Sequence, residues 1–181
     1  MDLRGWDERY RSQSDIGPPT PLVTEIAAAL NPGRALDLAC GSGRNALWLA
    51  EHGWNVTAVD GSRSAIDLLT ARNPKIDARV ADLEKHEYAI EPESWDLIAI
   101  CYYLQRDLFE PAKRGVVPGG VVIAIVHIPG PGEGLTQFRL SPGELAVYFR
   151  DFEILHSYEG PPHDPEHKKW VAEIAARRPV K

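Results

Sequence analysis

Cysteine is scarce in this sequence: Cys40 and Cys101 are the two thiols in 181 residues, and both lie in apolar stretches. Two cysteines cannot staple a domain of this size, so a disulfide scaffold is excluded and a reducing, cytoplasmic setting is expected. Long apolar runs are missing as well. The longest aliphatic run, residues 121–126, is far short of the ~20 residues that cross a bilayer. The opening MDLRGWDERYRSQSD is charged where a signal peptide needs an apolar segment, so neither export nor a membrane anchor is expected. Basic charge is the third shortage. The 20 Lys and Arg against 26 Asp and Glu leave a net charge of -6, which repels a phosphate backbone at long range and argues against nucleic acid as the main partner.

What remains is the composition of a folded chain, 44% hydrophobic and 25% charged, and at roughly 150 residues per domain the length predicts one domain. Residues 1–19 are polar and close on Gly17-Pro18-Pro19, which predicts an arm ahead of a domain formed by residues 20–181. Thr20 before Pro21 reads as a helix N-cap, with Leu22, Ile26 and Leu30 at helical spacing behind it. Apolar runs of strand type follow at residues 35–39, 55–60, 78–82, 96–101 and 120–127, with helical patterns at 45–52, 62–72 and 104–114 between them. Apolar strands alternating with helices predict an α/β fold, doubly wound and mostly parallel, with helices on both faces of the sheet. Ser141-Pro142-Gly143-Glu144 has the form of a capping box ahead of Leu145, Tyr148 and Phe149. Residues 152–158 and 169–176 read as two last strands, joined by EGPPHDPEHK with no room for a crossover helix, so they pair antiparallel. That makes seven strands.

The chemistry starts at Asp37-Leu38-Ala39-Cys40-Gly41-Ser42-Gly43, where a predicted strand runs into a predicted helix. Glycines there let a ligand approach the backbone. The next strand ends in Asp60, 19 residues after Gly41 (60 − 41 = 19), about where a carboxylate would hydrogen-bond ribose hydroxyls. Together they form a nucleoside-binding signature. Gly41-x-Gly43-x-x-Ala46 also satisfies the permissive dinucleotide pattern. Asp37 opposes that reading, because its carboxylate would repel a pyrophosphate and suits a ligand carrying an ammonium group.

With those residues in view, DLACGSGRN resembles the first motif of the class I S-adenosylmethionine-dependent methyltransferases, Ala58-Val59-Asp60-Gly61-Ser62 their second, and Ala81-Asp82-Leu83 their third. The chain is most similar in look to the small bacterial tellurite-resistance-type methyltransferases, through GRN after the glycines, WDERY near the N-terminus and Tyr102-Tyr103-Leu104. The resemblance implies a Rossmann-like seven-stranded sheet with an antiparallel final strand. It implies S-adenosyl-L-methionine as cofactor, with Gly41, Ser42 and Gly43 along its methionine part and Asp37 near its amino group. Asp60 and Gly61 would meet the ribose, Asp82 and Leu83 the adenine, and Cys101 would lie beneath the sulfonium. Trp6 and Arg11 would close over the ligand.

A sulfonium methyl is already activated, so aligning an acceptor is the main catalytic task, and a general base is needed only for an acceptor that holds its proton at neutral pH. His127, closing the fifth strand, and Tyr102 and Tyr103, after the fourth, stand at carboxyl strand ends where open α/β sheets bind ligands. His127 reads either as a base or as a strand-end histidine capped by backbone, and the tyrosines either as site residues or as packing. Arg106 reads as a solvated helix residue. His163, Asp164 and His167 crowd the last hairpin loop, but Pro165 breaks the helix that would align the histidines, so a solvated turn and no metal are expected. Residues 1–19, carrying Trp6 and Tyr10, are expected to form a lid together with a mobile loop at 128–134. The expected activity is methyl transfer to a small-molecule acceptor. The alternatives are a non-catalytic binder of the cofactor or its product, and a nicotinamide-dependent oxidoreductase. Oligomeric state is left open.

Overall fold

The alternation of apolar runs and amphipathic segments folds as parallel strands with covering helices. The computed structural model describes residues 3–12 and 16–180. Residues 1, 2 and 13–15 of the expected arm, and residue 181 of the expected domain, lie outside the described residues. Contacts divide the chain into two compact units, Met1–Ala89 and Ile90–Lys181.

In the first unit, β1 (Arg34–Leu38), β2 (Asn55–Asp60) and β3 (Asp77–Val80) run parallel with β2 in the middle. Ala35, Leu36, Leu38, Ala58 and Val59 are fully buried, as strands covered on both faces require. Cover comes from α2 (Pro21–Ala28), α3 (Arg44–Glu51) and α4 (Arg63–Arg72). Leu69 of α4 is fully buried, with its methyls under Gly43 at the start of α3. Its burial contributes roughly 2 kcal/mol. The arm is helical: α1 (Leu3–Arg11) packs on α4. Strand β3 stops at Val80, short of the expected 82, because Asp82 leaves the ladder to cap a 3-10 helical turn, its Oδ1 accepting from the Glu84 amide at 3.1 Å. Thr20 stands at the N-cap of α2 without a side-chain capping bond, and its amide donates to Asn45 Oδ1 at 2.8 Å.

In the second unit, β4 (Trp95–Cys101) and β5 (Val116–His127) run parallel, and β7 (Val171–Arg177) lies antiparallel between β5 and β6 (Glu153–Gly160). Strand β5 starts four residues before the expected 120. The β4–β5 register jumps from Trp95–Val116 to Leu97–Val121, and the intervening Pro118-Gly119-Gly120 form a bulge with Gly119 at φ +85°. Helix α5 (Phe109–Gly115) is preceded by a 3-10 turn over Arg106–Leu108, and α6 (Glu144–Tyr148) is five residues long. The expected capping box is half formed. Glu144 accepts from the Ser141 amide at 2.9 Å, but the N-cap is Gly143 at φ +80°, because Pro142-Gly143 turns the chain after Ser141. The strands count as one seven-stranded sheet of order β3-β2-β1-β4-β5-β7-β6, six parallel and one reversed, with helices around it: a Rossmann-like α/β fold.

Candidate active site

In the first unit the predicted cofactor residues gather at the carboxyl ends of β1, β2 and β3. The turn after β1 is closed by the Gly43 amide on the Cys40 carbonyl at 3.0 Å, with Gly41 and Gly43 both at positive φ, +55° and +87°. A side chain at Gly41 would be strained there and would run into the Tyr10 hydroxyl. Asp60 ties this turn to the next one, its Oδ2 accepting from the Gly41 amide at 2.8 Å and its Oδ1 from the Ser62 amide at 2.8 Å. Burial nonetheless raises the Asp60 pKa above the usual carboxylate value, against the lowering effect of those two amides. Ser42 is buried.

Asp37 is 1% exposed, and its Oδ2 has no hydrogen-bond partner among the described residues. Burial lifts its pKa from 3.8 to about 7, while Arg44 and the Ala46 amide favour the charged form and Asp60 opposes it. A carboxylate held at that cost next to a glycine turn fits an ammonium group, whose charge would repay the desolvation. At the end of β3, Asp82 pairs with Lys85 at 2.8 Å, which holds its carboxyl below the usual range. Leu83 is buried beside it.

Helix α1 lies over these turns. Leu3 reaches Gly61, Tyr10 reaches Gly41, and Trp6 stacks on Tyr10 at 6.1 Å. Asp7 fastens the helix to α4, accepting from the Ser62 hydroxyl at 2.8 Å and the Ser64 amide at 2.9 Å. Arg11 supports that anchor, bonding Asp7 at 2.9 Å and Ser64 Oγ at 3.3 Å. Burial beside Asp60 pushes the Tyr10 phenol up to about 12, so it stays protonated. Asp7 and Ser64 were not singled out from the sequence, and Ser62 was named only within the second motif; a serine directly after Asp60-Gly61, in N-cap position, was the available signal.

In the second unit, Cys101 ends β4 opposite Ile125, and Tyr102 follows at φ +61°, its amide donating to the Ile125 carbonyl at 2.7 Å. His127 ends β5 opposite Val171. Its Nδ1 lies 3.4 Å from the Trp170 carbonyl, which only accepts, so that nitrogen carries the proton and Nε2 carries the lone pair. Burial lowers its pKa below 6.5, and the charges of Lys169 and Arg139 lower it further. Tyr103 donates to Gln105 Oε1 at 2.8 Å, a local contact. Arg106 is exposed at the start of its 3-10 turn, as expected, and from there pairs with Glu144 at 2.9 Å and donates to the Arg139 carbonyl.

The hairpin loop departs from expectation, because Asp164 is 1% exposed and not part of a solvated turn. It accepts from the Tyr102 hydroxyl at 3.1 Å, and His167 stacks on the Tyr102 ring at 3.4 Å and 4°. His163 turns instead to Glu173, at 3.4 Å. Asp164 and His167 thus both face Tyr102 while His163 faces Glu173, and no group of three His, Cys, Asp or Glu among the described residues is placed to hold a metal ion. No helix among the described residues is long and apolar enough to cross a membrane.

Sheet order, glycine turn and acidic strand ends define a class I methyltransferase fold. The chain belongs to the TehB family: the model described as "Tellurite resistance protein TehB" matches residues 6–161. It is similar to the probable S-adenosyl-L-methionine-dependent methyltransferase TehB of Haemophilus influenzae, 28% identical over 148 residues, covering 76% of this chain and 52% of that protein. The crystal structure of TehB from Haemophilus influenzae superposes with TM-score 0.74 at 25% identity, over 96% of this chain and 65% of that one. A Burkholderia thailandensis 1,6-didemethyltoxoflavin-N1-methyltransferase, solved with its substrate and S-adenosylhomocysteine, shares the fold at TM-score 0.69 and 18% identity, over 98% of this chain and 87% of that one. The chain spans about half the length of the curated relatives it matches.

Proposed function

We propose that this chain transfers a methyl group from S-adenosyl-L-methionine to a small-molecule acceptor. The observation that carries this reading is Asp37, a buried carboxylate with one oxygen unpartnered among the described residues, beside the Gly41–Gly43 turn. The cofactor supplies a methyl already activated on a sulfonium, and its sulfur takes the bonding electron pair as the acceptor displaces it in line. Asp37 holds the ammonium, the turn from Gly41 through Ser42 to Gly43 receives the methionine part, Asp60 and Gly61 receive the ribose, and Asp82 with Leu83 borders the adenine. Cys101 lies beneath the sulfonium. His127 takes the acceptor's proton on Nε2 where there is one to take, and Tyr102 lines the acceptor's approach. Helix α1, with Tyr10 inward on the Gly41 turn, Trp6 stacked on it from the exposed side and Arg11 on its anchor, acts as a lid that excludes water.

Neither Cys40 nor Cys101 is in a disulfide, which suits action in a reducing cytoplasm, and the net charge of -6 disfavours nucleic acid and anionic membrane surfaces as substrates. The family's description makes a metalloid oxyanion the first acceptor to try, beside thiols, phenols, amines and carboxylates. Calorimetry with S-adenosylmethionine and with NAD, then a screen of that panel for adenosylhomocysteine release, tests the reading. Saturable cofactor binding and product release are expected. NAD binding without cofactor binding points to an oxidoreductase, and binding without release across the panel to a non-catalytic binder.

A further inference from the structure

We propose that Asp164 is a positioning residue of the acceptor site, which orients the Tyr102 hydroxyl so that its oxygen can accept from a protonated nucleophile such as a thiol or a phenol. The proposal rests on the methyl-transfer reading and deepens it. A hairpin loop has no need of a buried carboxylate, yet Asp164 is 1% exposed, and burying that charge is costly unless each oxygen is engaged. Both are: Oδ2 accepts from the Tyr102 hydroxyl at 3.1 Å, and Oδ1 from the Glu166 amide at 3.0 Å.

Tyr102 in turn is fixed at three points. Its backbone sits at φ +61°, a conformation that costs a non-glycine residue free energy and persists only where its surroundings impose it. The amide is held by the Ile125 carbonyl, the hydroxyl by Asp164, and the ring face by His167. His167 is itself set by the same loop turn, its amide donating to the Asp164 carbonyl at 3.1 Å. Both rings lie about one ring's reach from His127, with centroids 5.8 Å and 6.0 Å away. Strain held this firmly beside a neutral imidazole at the carboxyl ends of β4 and β5 is placed for chemistry. A phenol that gives its proton to Asp164 meets an incoming X–H group as an acceptor, as His127 Nε2 does. Two acceptors favour a nucleophile that arrives with its proton over one that arrives as a bare anion.

The test is the isosteric exchange Asp164→Asn. Asparagine must set its NH2 against one of the two donors; the Glu166 amide cannot reverse, but the Tyr102 hydroxyl can rotate and accept. The exchange therefore preserves the turn and reverses the phenol. Wild type, Asp164→Asn, Tyr102→Phe and the double variant are compared for cofactor affinity, thermal midpoint, and kcat and KM with dithiothreitol, 2-mercaptoethanol, sodium selenite and sodium tellurite. Expected are unchanged cofactor affinity, a thermal midpoint close to wild type, and a loss of about tenfold in kcat/KM for the two thiols, larger than for the oxyanions. Asp164→Asn should add nothing to Tyr102→Phe, which has no hydroxyl to turn. Equal losses for all four acceptors, additive losses in the double variant, or a lowered midpoint with full turnover would overturn the positioning role and leave methyl transfer standing. A wild-type chain that binds cofactor and methylates none of the four defeats the transferase reading for this panel and the proposal with it.

Discussion

In the first unit, Gly41 and Asp60 are 19 residues apart and meet through a 2.8 Å bond. In the second, Tyr102 and Asp164 meet across 62 residues and His127 and Trp170 across 43. The first pairing joins the turns that end two neighbouring parallel strands, so strand and helix lengths set its spacing. The second depends on where the β6–β7 hairpin returns, which loop length and composition vary freely. The half proposed to bind cofactor is thus built from a rigid repeat of the fold, and the half proposed to handle the acceptor from side chains on loops. A fold that keeps one cofactor and changes acceptors would divide its labour this way.

The hardest blow to the first half is Gly41→Val. It places a branched side chain at φ +55° against Tyr10 and in the space proposed for the methionine part, and should weaken S-adenosylmethionine binding by about 100-fold or more. Calorimetry reads the loss, and an affinity like wild type would mean the ligand sits elsewhere. His127→Ala strikes the other half. Turnover of protonated acceptors should fall about 100-fold with cofactor affinity intact. Because burial holds the His127 pKa below 6.5, the rising limb of the wild-type rate profile lies on the acid side of that value and should vanish in the variant. An equal, small loss for every acceptor and an unchanged profile would assign His127 to packing.

The same division explains what could be read in advance. The seven strands, the glycine turn and Asp60 were legible because each is announced by local pattern: an apolar run, then glycines, then an acidic strand end. Asp164 was not. A Pro-rich loop looks solvated in sequence, and only the closed hairpin brings its carboxylate to a tyrosine 62 residues earlier. Strand β5 hid its first residues because a bulge at Pro118-Gly119-Gly120 breaks the period of two on which strand reading depends. The arm looked irregular because α1 has no buried residues of its own to mark a face, and the contacts that dock it run through Asp7 and Tyr10.

Asp37 allows the first half to be weakened and strengthened at once. With its pKa lifted from 3.8 to about 7, the folded chain keeps a proton that the unfolded chain releases. Stability is therefore lost as pH rises from about 4 to about 7, stays lower above that, and carries no penalty where both forms are protonated. Asp37→Asn removes the penalty. Denaturant titration should find it more stable than wild type by roughly 2–4 kcal/mol at pH 8, and level with it near pH 4. Cofactor affinity should move the other way, falling tens-fold at pH 7. In the wild type alone, affinity should climb between about pH 5 and about pH 7 as ligand binding expels the proton. A variant no more stable than wild type at pH 8 would show that folding does not raise the Asp37 pKa.

The smallest expected effect concerns the lid, where the first half meets solvent. Asp7 accepts from Ser62 and Ser64 at the start of α4, and the Ser64 amide above all keeps its carboxyl below the usual value. Asp7→Ala removes the anchor and leaves Tyr10 and Trp6 to hold α1 by packing alone. An anchor only half-buried at the surface is weak, so cofactor affinity should drop by only about threefold. Cleavage within residues 1–19 is the sharper measure. In the wild type, added S-adenosylmethionine should slow it, because ligand beneath the helix binds only the closed form. In Asp7→Ala, cleavage without ligand should run several-fold faster, and saturating ligand should restore most of the protection. Deletion of residues 1–19 should lower acceptor turnover more than Asp7→Ala does, since it also removes the aromatic cover. A truncated chain with full activity, or cleavage indifferent to ligand, would make α1 a fixed part of the first unit and not a lid.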